Sequence, residues 1–170
     1  MTQIRNGIFI QMTGLSGAGK TTLAKAVETR LTEEGYTVEI IDGDEYRAGL
    51  CSDLGFSKAD RNTNVRRLGF VGRVLARNGV IAIMSAINPY EEVRQEIGGT
   101  LVYIKTGIEA VVERDIKGLY AKAISGEIPN FTGISDPFED PESPALVIET
   151  DKEEEKESLE RLYNFIISQV

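Results

Sequence analysis

Short apolar runs rich in β-branched residues alternate with longer stretches of helical periodicity along this chain. Ile8-Phe9-Ile10-Gln11-Met12 predicts a buried strand that runs at once into a glycine-rich turn. Over residues 21–34 the apolar positions Leu23, Ala24, Val27 and Leu31 recur at helical spacing, and Gly35 ends the helix. Further strands are predicted at residues 37–41, 80–84, 100–105 and 145–148. A long amphipathic helix over about residues 59–77 precedes the third strand and stops at Asn78-Gly79, a pair suited to a left-handed cap. Thr106 and Glu109 have the spacing of a capping box and predict a helix start after the fourth strand. A closing helix over residues 152–170 has an acidic first half, as a helix N-terminus prefers.

Strands separated by helices give right-handed βαβ units, so the fold class expected is α/β: a three-layer sandwich of about five parallel strands flanked by helices. The regular pattern fails over residues 116–144, which hold four of the five prolines, glycines 118, 126 and 133, and one short helical stretch at 119–125. A long glycine-punctuated insertion in a compact domain reads as a functional lid. One domain over residues 1–170, with its lid at about 116–144, is the expected organisation.

Composition narrows the chemistry. The 170 residues include no histidine, no tryptophan and one cysteine, Cys51. Ser-His-Asp triads, Cys-His pairs, histidine-ligated zinc and imidazole bases are excluded, and proton transfer falls to Asp, Glu, Lys or Tyr. A single cysteine forbids an internal disulfide and fits a reducing, cytoplasmic setting. Residues 1–7 lack the pattern of a signal peptide, and no apolar run approaches the length of a membrane helix, so a soluble intracellular protein with no membrane partner is expected. The net charge of −8 argues against a nucleic-acid partner. That charge is segregated: residues 58–77 hold six basic side chains against the single acid Asp60, and residues 151–160 hold six acids and two lysines. The basic stretch is expected to line an anion pocket, with Arg73 and Arg77 facing solvent.

The strongest motif is Gly14-Leu15-Ser16-Gly17-Ala18-Gly19-Lys20-Thr21-Thr22, a full G-x-x-x-x-G-K-[ST] between a predicted strand and a predicted helix. Its inward-pointing amides and the helix N-terminus suit nucleotide phosphates. Lys20 is then expected on the β/γ-phosphates and the Thr21 hydroxyl on Mg²⁺. The third strand ends in Ser85-Ala86, without the acid that P-loop proteins commonly place there, and the carboxylates stand instead at Asp42-Gly43-Asp44. Asp-Gly also favours a plain turn. Beside a P-loop, such acids suit a small-molecule kinase, where one orients an acceptor hydroxyl or a metal-bound water. Arg61 and Asn64 share a helix face. With Arg47, whose guanidinium matches phosphate and sulfate oxygens, they imply a second anionic ligand besides ATP. Phe56 is a core residue by default, or a stacking platform for a purine.

These residues resemble the adenylyl-sulfate kinase family. The resemblance runs in collinear order through 14–22, Asp-Gly-Asp-Glu-Tyr-Arg (42–47), Gly-Leu-Cys-Ser-Asp-Leu-Gly-Phe (49–56), Ala-Asp-Arg-Asn-Thr-Asn-Val-Arg-Arg (59–67), Lys-Gly-Leu-Tyr (117–120) and Asn-Phe-Thr-Gly-Ile (130–134). It implies transfer of the γ-phosphoryl of ATP, with Mg²⁺, to the 3′-hydroxyl of adenosine 5′-phosphosulfate (APS), giving PAPS. By matching position, Asp44 orients or deprotonates the hydroxyl, while Asp42 and Thr21 attend the metal. Arg47, Arg61 and Asn64 hold the sulfate–phosphate end and ribose, and Phe56 and Phe131 sandwich the adenine. Ile87, Asn88, Lys117 and Asn130 add contacts. The resemblance also implies a homodimer and a functional link to a separate sulfate adenylyltransferase. Where many members read Phe-Ile-Ser-Pro, this chain reads Ala86-Ile87-Asn88-Pro89, and the serine proposed elsewhere as a phosphorylated intermediate is missing. Direct in-line transfer is expected. Ile116 and Ala121 also depart from the usual lid pattern.

Two other readings compete. A P-loop kinase of a sugar acid, nucleoside or antibiotic would keep Lys20 and Asp44 without needing Phe56, Arg61, Asn64 and Phe131 together. A nucleotide-binding switch would need γ-phosphate-sensing loops, and an inactive regulator would be expected to lose Lys20 or Asp44, both of which are present.

Overall fold

A computed structural model describes residues 6–170; of the N-terminal stretch read for a signal peptide, residues 1–5 lie outside the described residues. The strands are β1 (Ile8–Thr13), β2 (Val38–Asp42), β3 (Ile81–Ser85), β4 (Thr100–Lys105) and β5 (Leu146–Glu149). They form one parallel sheet in the order β2-β3-β1-β4-β5, as the βαβ alternation requires. The helices are α1 (Lys20–Glu33), α2 (Gly43–Ala48), α3 (Lys58–Ala76), α4 (Glu91–Ile97), α5 (Ile108–Arg114), α6 (Leu119–Ile124) and α7 (Glu155–Ile167).

Alternation along each strand divides the core into two layers. Ile10 and Met12 of β1 join Leu23, Val27 and Leu31 of α1 and Leu162 and Ile166 of α7 on one face. Phe9 of the same strand joins Leu68 of α3 and Val93 and Ile97 of α4 on the other. A third cluster joins Val111 of α5 to Tyr120 and Ala123 of α6 and to Phe131, and Leu15 of the P-loop packs against it. Among the described residues no helix is long and apolar enough to cross a membrane.

Register sets the position of the site. Asp42 and Met12 both pair with Ser85, so β1, β2 and β3 end level and release their loops at one edge. Ligands of parallel α/β sheets bind at that edge.

Three features depart from the sequence-based expectation. Thr106 does not cap α5: Gly107 is the N-cap residue, and no side chain caps the helix. Adjacent β4 and β5 place Thr106 beside Thr150, with hydroxyls 2.6 Å apart, and this cross-strand pairing replaces the local one. Helices α2 and α4 were not expected. Each is shorter than two turns and carries too few apolar residues to set a period.

Candidate active site

The P-loop turns on left-handed glycines. Gly17 has φ 76° and Gly19, the N-cap residue of α1, φ 100°, conformations that glycine adopts without penalty. The loop is held from behind by Thr150, whose hydroxyl donates to Ala18 O at 2.7 Å, and by Arg114, which donates to Thr150 O at 2.9 Å. Tyr120 of α6 donates its hydroxyl to Ser16 O at 2.7 Å, which joins that helix to the P-loop.

Lys20 is buried, and its ammonium donates to Gly14 O and Leu15 O, each at 2.8 Å. Burial, and next Lys117, bring its pKa down to about 7, against the pull of Asp44 and Asp42. A phosphate with more negative charge than two carbonyls would draw both the proton and the side chain toward itself.

Asp42 is oriented by two sets of donors. Its Oδ1 caps α2, accepting from Asp44 N at 2.9 Å and Glu45 N at 3.2 Å, and its Oδ2 accepts from Thr21 Oγ1 at 2.9 Å. The Asp-Gly pair therefore opens a helix rather than a plain turn. Ser85 Oγ stands 3.2 Å from Thr21 Oγ1 and completes a cluster of hard oxygens at the three strand ends. Neighbouring β2 thus supplies the carboxylate that β3 lacks. Among the described residues no group of three or more Asp, Glu, His or Cys forms a protein-only metal cage. A hydroxyl and one carboxylate beside a phosphate cradle fit Mg²⁺, which takes most of its ligands from water and nucleotide.

Helix α2 presents Asp44 and Arg47, three residues apart, to the same cleft. Asp44 is exposed and accepts a hydrogen bond from the ammonium of Lys117, just before α6. Arg47 donates to Gly55 O at 2.8 Å and its guanidinium lies 4.5 Å from the ring centroid of Phe56. On α3, Arg61 and Asn64 are both nine-tenths or more buried and both face the cleft. Arg61 Nε donates to Phe56 O at 3.1 Å and Nη2 to Asn130 O at 2.6 Å. The Asn64 Oδ1 atom is buried without a protein partner.

Most of the expected site residues meet in this one cleft, Ile87 and Asn88 included; Gly14, Leu15, Ala18, Asn130 and Phe131 do not line it. Leu15 and Phe131 face the third core cluster, where Phe131 packs edge-on against Tyr120, with ring centroids 5.0 Å apart. Phe56 lines the cleft and stays 55% exposed, whereas Phe131 is buried. The basic stretch is also corrected. Arg66 pairs with Glu96 and Arg67 with Asp53, and Lys58 sits by Glu92. Only Arg61 of the basic residues 58–77 lines the cleft: Lys58, Arg66 and Arg67 turn to surface acids, and Arg73 and Arg77 are exposed, Arg73 donating to Ile97 O. Sequence reasoning missed Ser85, Tyr120 and Arg114. Ser85 stood where an acid was sought, and that position was its signal.

A family model described as adenylylsulphate kinase matches residues 6–149. The chain is 49% identical over 168 residues to a probable adenylyl-sulfate kinase of Synechocystis, covering 96% of this chain and 95% of that protein. It is 50% identical over 163 residues to an adenylyl-sulfate kinase of Chloroflexus aurantiacus, covering 93% and 88%. The Mycobacterium tuberculosis APS kinase in complex with AMPPNP and APS has a similar structure, with TM-score 0.85 and 40% identity over 93% of this chain and 96% of that one.

Proposed function

Because the chain belongs to the adenylylsulphate kinase family, we propose that it phosphorylates the 3′-hydroxyl of APS with ATP, giving PAPS and ADP. The observation that carries this reading is a single cleft in which a phosphate cradle, joined to α6, faces Asp44 and two arginines. Two anionic ligands are thereby brought end to end.

The backbone amides of residues 14–22 and the N-terminus of α1 receive the ATP phosphates. Lys20 leaves the carbonyls of Gly14 and Leu15 to bridge the β- and γ-phosphates. Mg²⁺ would be held by Thr21 with Asp42, directly or through water, and when bound it neutralises charge on the transferring group. Arg47 and Arg61 bind the phosphosulfate end of APS, Asn64 the ribose, and Phe56 stacks on the adenine. Lys117 exchanges its partner Asp44 for the incoming anion. Asp44 is then free to accept the hydroxyl proton as the 3′-oxygen bonds to the γ-phosphorus. The bond from that phosphorus to the β–γ bridging oxygen breaks, and ADP leaves. Asn88 has no hydroxyl to carry the phosphoryl group, which supports direct transfer.

A coupled assay of ATP consumption tests the proposal, with APS set against sugar acids, nucleosides and shikimate-like alcohols. Turnover with APS at low concentration is expected. Its absence, or faster turnover with another acceptor, would overturn the reading.

A further inference from the structure

Arg94 of α4 is only 1% exposed and is among the largest fully buried side chains, yet it does not line the cleft. A buried guanidinium is costly unless its donors are satisfied. Nε donates to Asn88 O at 3.0 Å, Nη2 to Pro89 O at 2.9 Å and to Glu139 O, and Nη1 to Glu91 Oε2 at 2.7 Å. The guanidinium carbon also lies 5.4 Å from the ring centroid of Phe138. One side chain therefore fastens the loop after β3 to the segment that returns from the lid. Glu139 N donates to Pro89 O at 2.9 Å in the same knot.

A second polar group in the apolar layer belongs to this knot. Gln11 of β1 donates from Nε2 to Arg94 O at 2.9 Å and to Gly98 O at 2.8 Å, which fixes the orientation of its amide. Its Oε1 must then accept, and it does so from Asn88 Nδ2 at 2.9 Å. Asn88 is left with Oδ1 buried and unpartnered, on a side chain that lines the cleft, and with a left-handed backbone at φ 47°. Thr13 completes the hold with its one hydroxyl proton, its Oγ1 lying 2.7 Å from Ile87 O and 2.9 Å from Asn88 O. An orphaned acceptor beside a substrate cleft calls for a donor on the ligand. The donors APS offers are its ribose hydroxyls and its exocyclic amine.

We propose that Arg94 is a positioning residue for the acceptor half of the site. It holds loop 87–89 and the lid return in one geometry and, with Gln11, aims Asn88 Oδ1 at a hydrogen-bond donor of the bound APS. The proposal rests on the reading of the chain as an APS kinase. It makes Asn88 part of acceptor recognition and Arg94 the group through which that recognition depends on the lid.

The test is a double-mutant cycle on Arg94→Lys and Asn88→Ala, with Arg94→Met as a harsher variant. Lysine keeps the charge beside Glu91 but cannot span two loop carbonyls and Glu139 O, so it reports on positioning even where methionine does not fold. ADP-binding stoichiometry counts the folded fraction. Misplacement of about 1 Å costs up to about 100-fold; we expect Arg94→Lys to raise the KM for APS about tenfold or more, with the KM for ATP within about twofold. Adding it to Asn88→Ala should raise the APS KM by less than about twofold further, since both act through one loop. Equal shifts for the two substrates, no shift, or full multiplication in the double variant would overturn the proposal. Failure of the wild-type chain to use APS would instead overturn the function itself, a result visible before any variant is made.

Discussion

Lys117, just before α6, donates a hydrogen bond to Asp44 at the start of α2, and so ties the candidate base to the opposite wall of the cleft. The pair is exposed, so its net contribution to stability is small. Its consequence lies in charge placement: Lys117 on Asp44 sets a second cation in the cleft that Lys20 lines. The same ammonium also helps lower the pKa of Lys20.

Asp44→Ala should lower kcat by about 100- to 10,000-fold, the usual worth of a positioned acid or base. ADP affinity should stay within about threefold, because Asp42 and not Asp44 bonds Thr21 of the P-loop. Isothermal titration of ADP alongside the coupled assay checks both. A large loss of nucleotide affinity would assign Asp44 to the metal rather than to the hydroxyl.

Lys20 gives nucleotide binding a pH signature. With its pKa near 7 in the free site, against 10.5 for an ordinary lysine, the side chain is largely neutral at about pH 8. Phosphate charge restores the proton, and nucleotide phosphates are already ionised at that pH. Binding of ADP at about pH 8 should therefore take up close to one proton, and little at about pH 6, where Lys20 is already protonated. Titrations in buffers of different ionisation enthalpy measure this, and Lys20→Met should abolish it. Folding has the opposite sign to binding: between about pH 7 and 10.5 the unfolded chain binds the extra proton that the folded site lacks, so this group's contribution to stability rises with pH across that window.

Arg61 joins Phe56 O to Asn130 O, and lysine cannot reproduce that fork. Arg61→Lys should raise the KM for APS about tenfold or more while leaving the KM for ATP within about twofold, each lost charged hydrogen bond being worth about 1.5–3 kcal/mol. Steady-state kinetics with each substrate varied in turn decides it.

Much of this could be read from the sequence because the signals were local. The P-loop, the five strands and the Arg61–Asn64 face each depend on spacing within one element. What escaped depended on neighbours set by the sheet. Thr106 turned to Thr150 because β4 and β5 adjoin, and Ser85 joined Thr21 because β3 lies between β2 and β1. Arg66 and Arg67 read as anion ligands until Glu96 and Asp53 were placed beside them. Gln11 carried an unused signal, a lone amide within an apolar strand.

Gly72→Ala separates stability from function. A Cβ there would meet Phe9 Cε2 at 2.3 Å, where α3 lies against β1, and neither residue lines the cleft. Overpacking of this kind costs about 1–3 kcal/mol, and about 2–4 °C of Tm per kcal/mol for a domain of this size. A lower melting temperature with unchanged KM values is expected by thermal denaturation and kinetics; a shifted APS KM would mean that the α3–β1 contact sets the position of Arg61.

Asn88 makes the route of the phosphoryl group testable. Its backbone is left-handed, a conformation asparagine tolerates better than most residues, and its Nδ2 occupies Gln11 Oε1. Asn88→Ser would leave that buried oxygen unpaired at a cost of about 1–3 kcal/mol, so the substitution should destabilise the chain without speeding turnover. In the wild-type chain, transfer from an ATP chiral at the γ-phosphorus should invert configuration, as one in-line displacement must. Two displacements through a phosphoenzyme would retain it. Retention, or a phosphorylated species in the intact mass after ATP alone, would place the group on another side chain and overturn direct transfer.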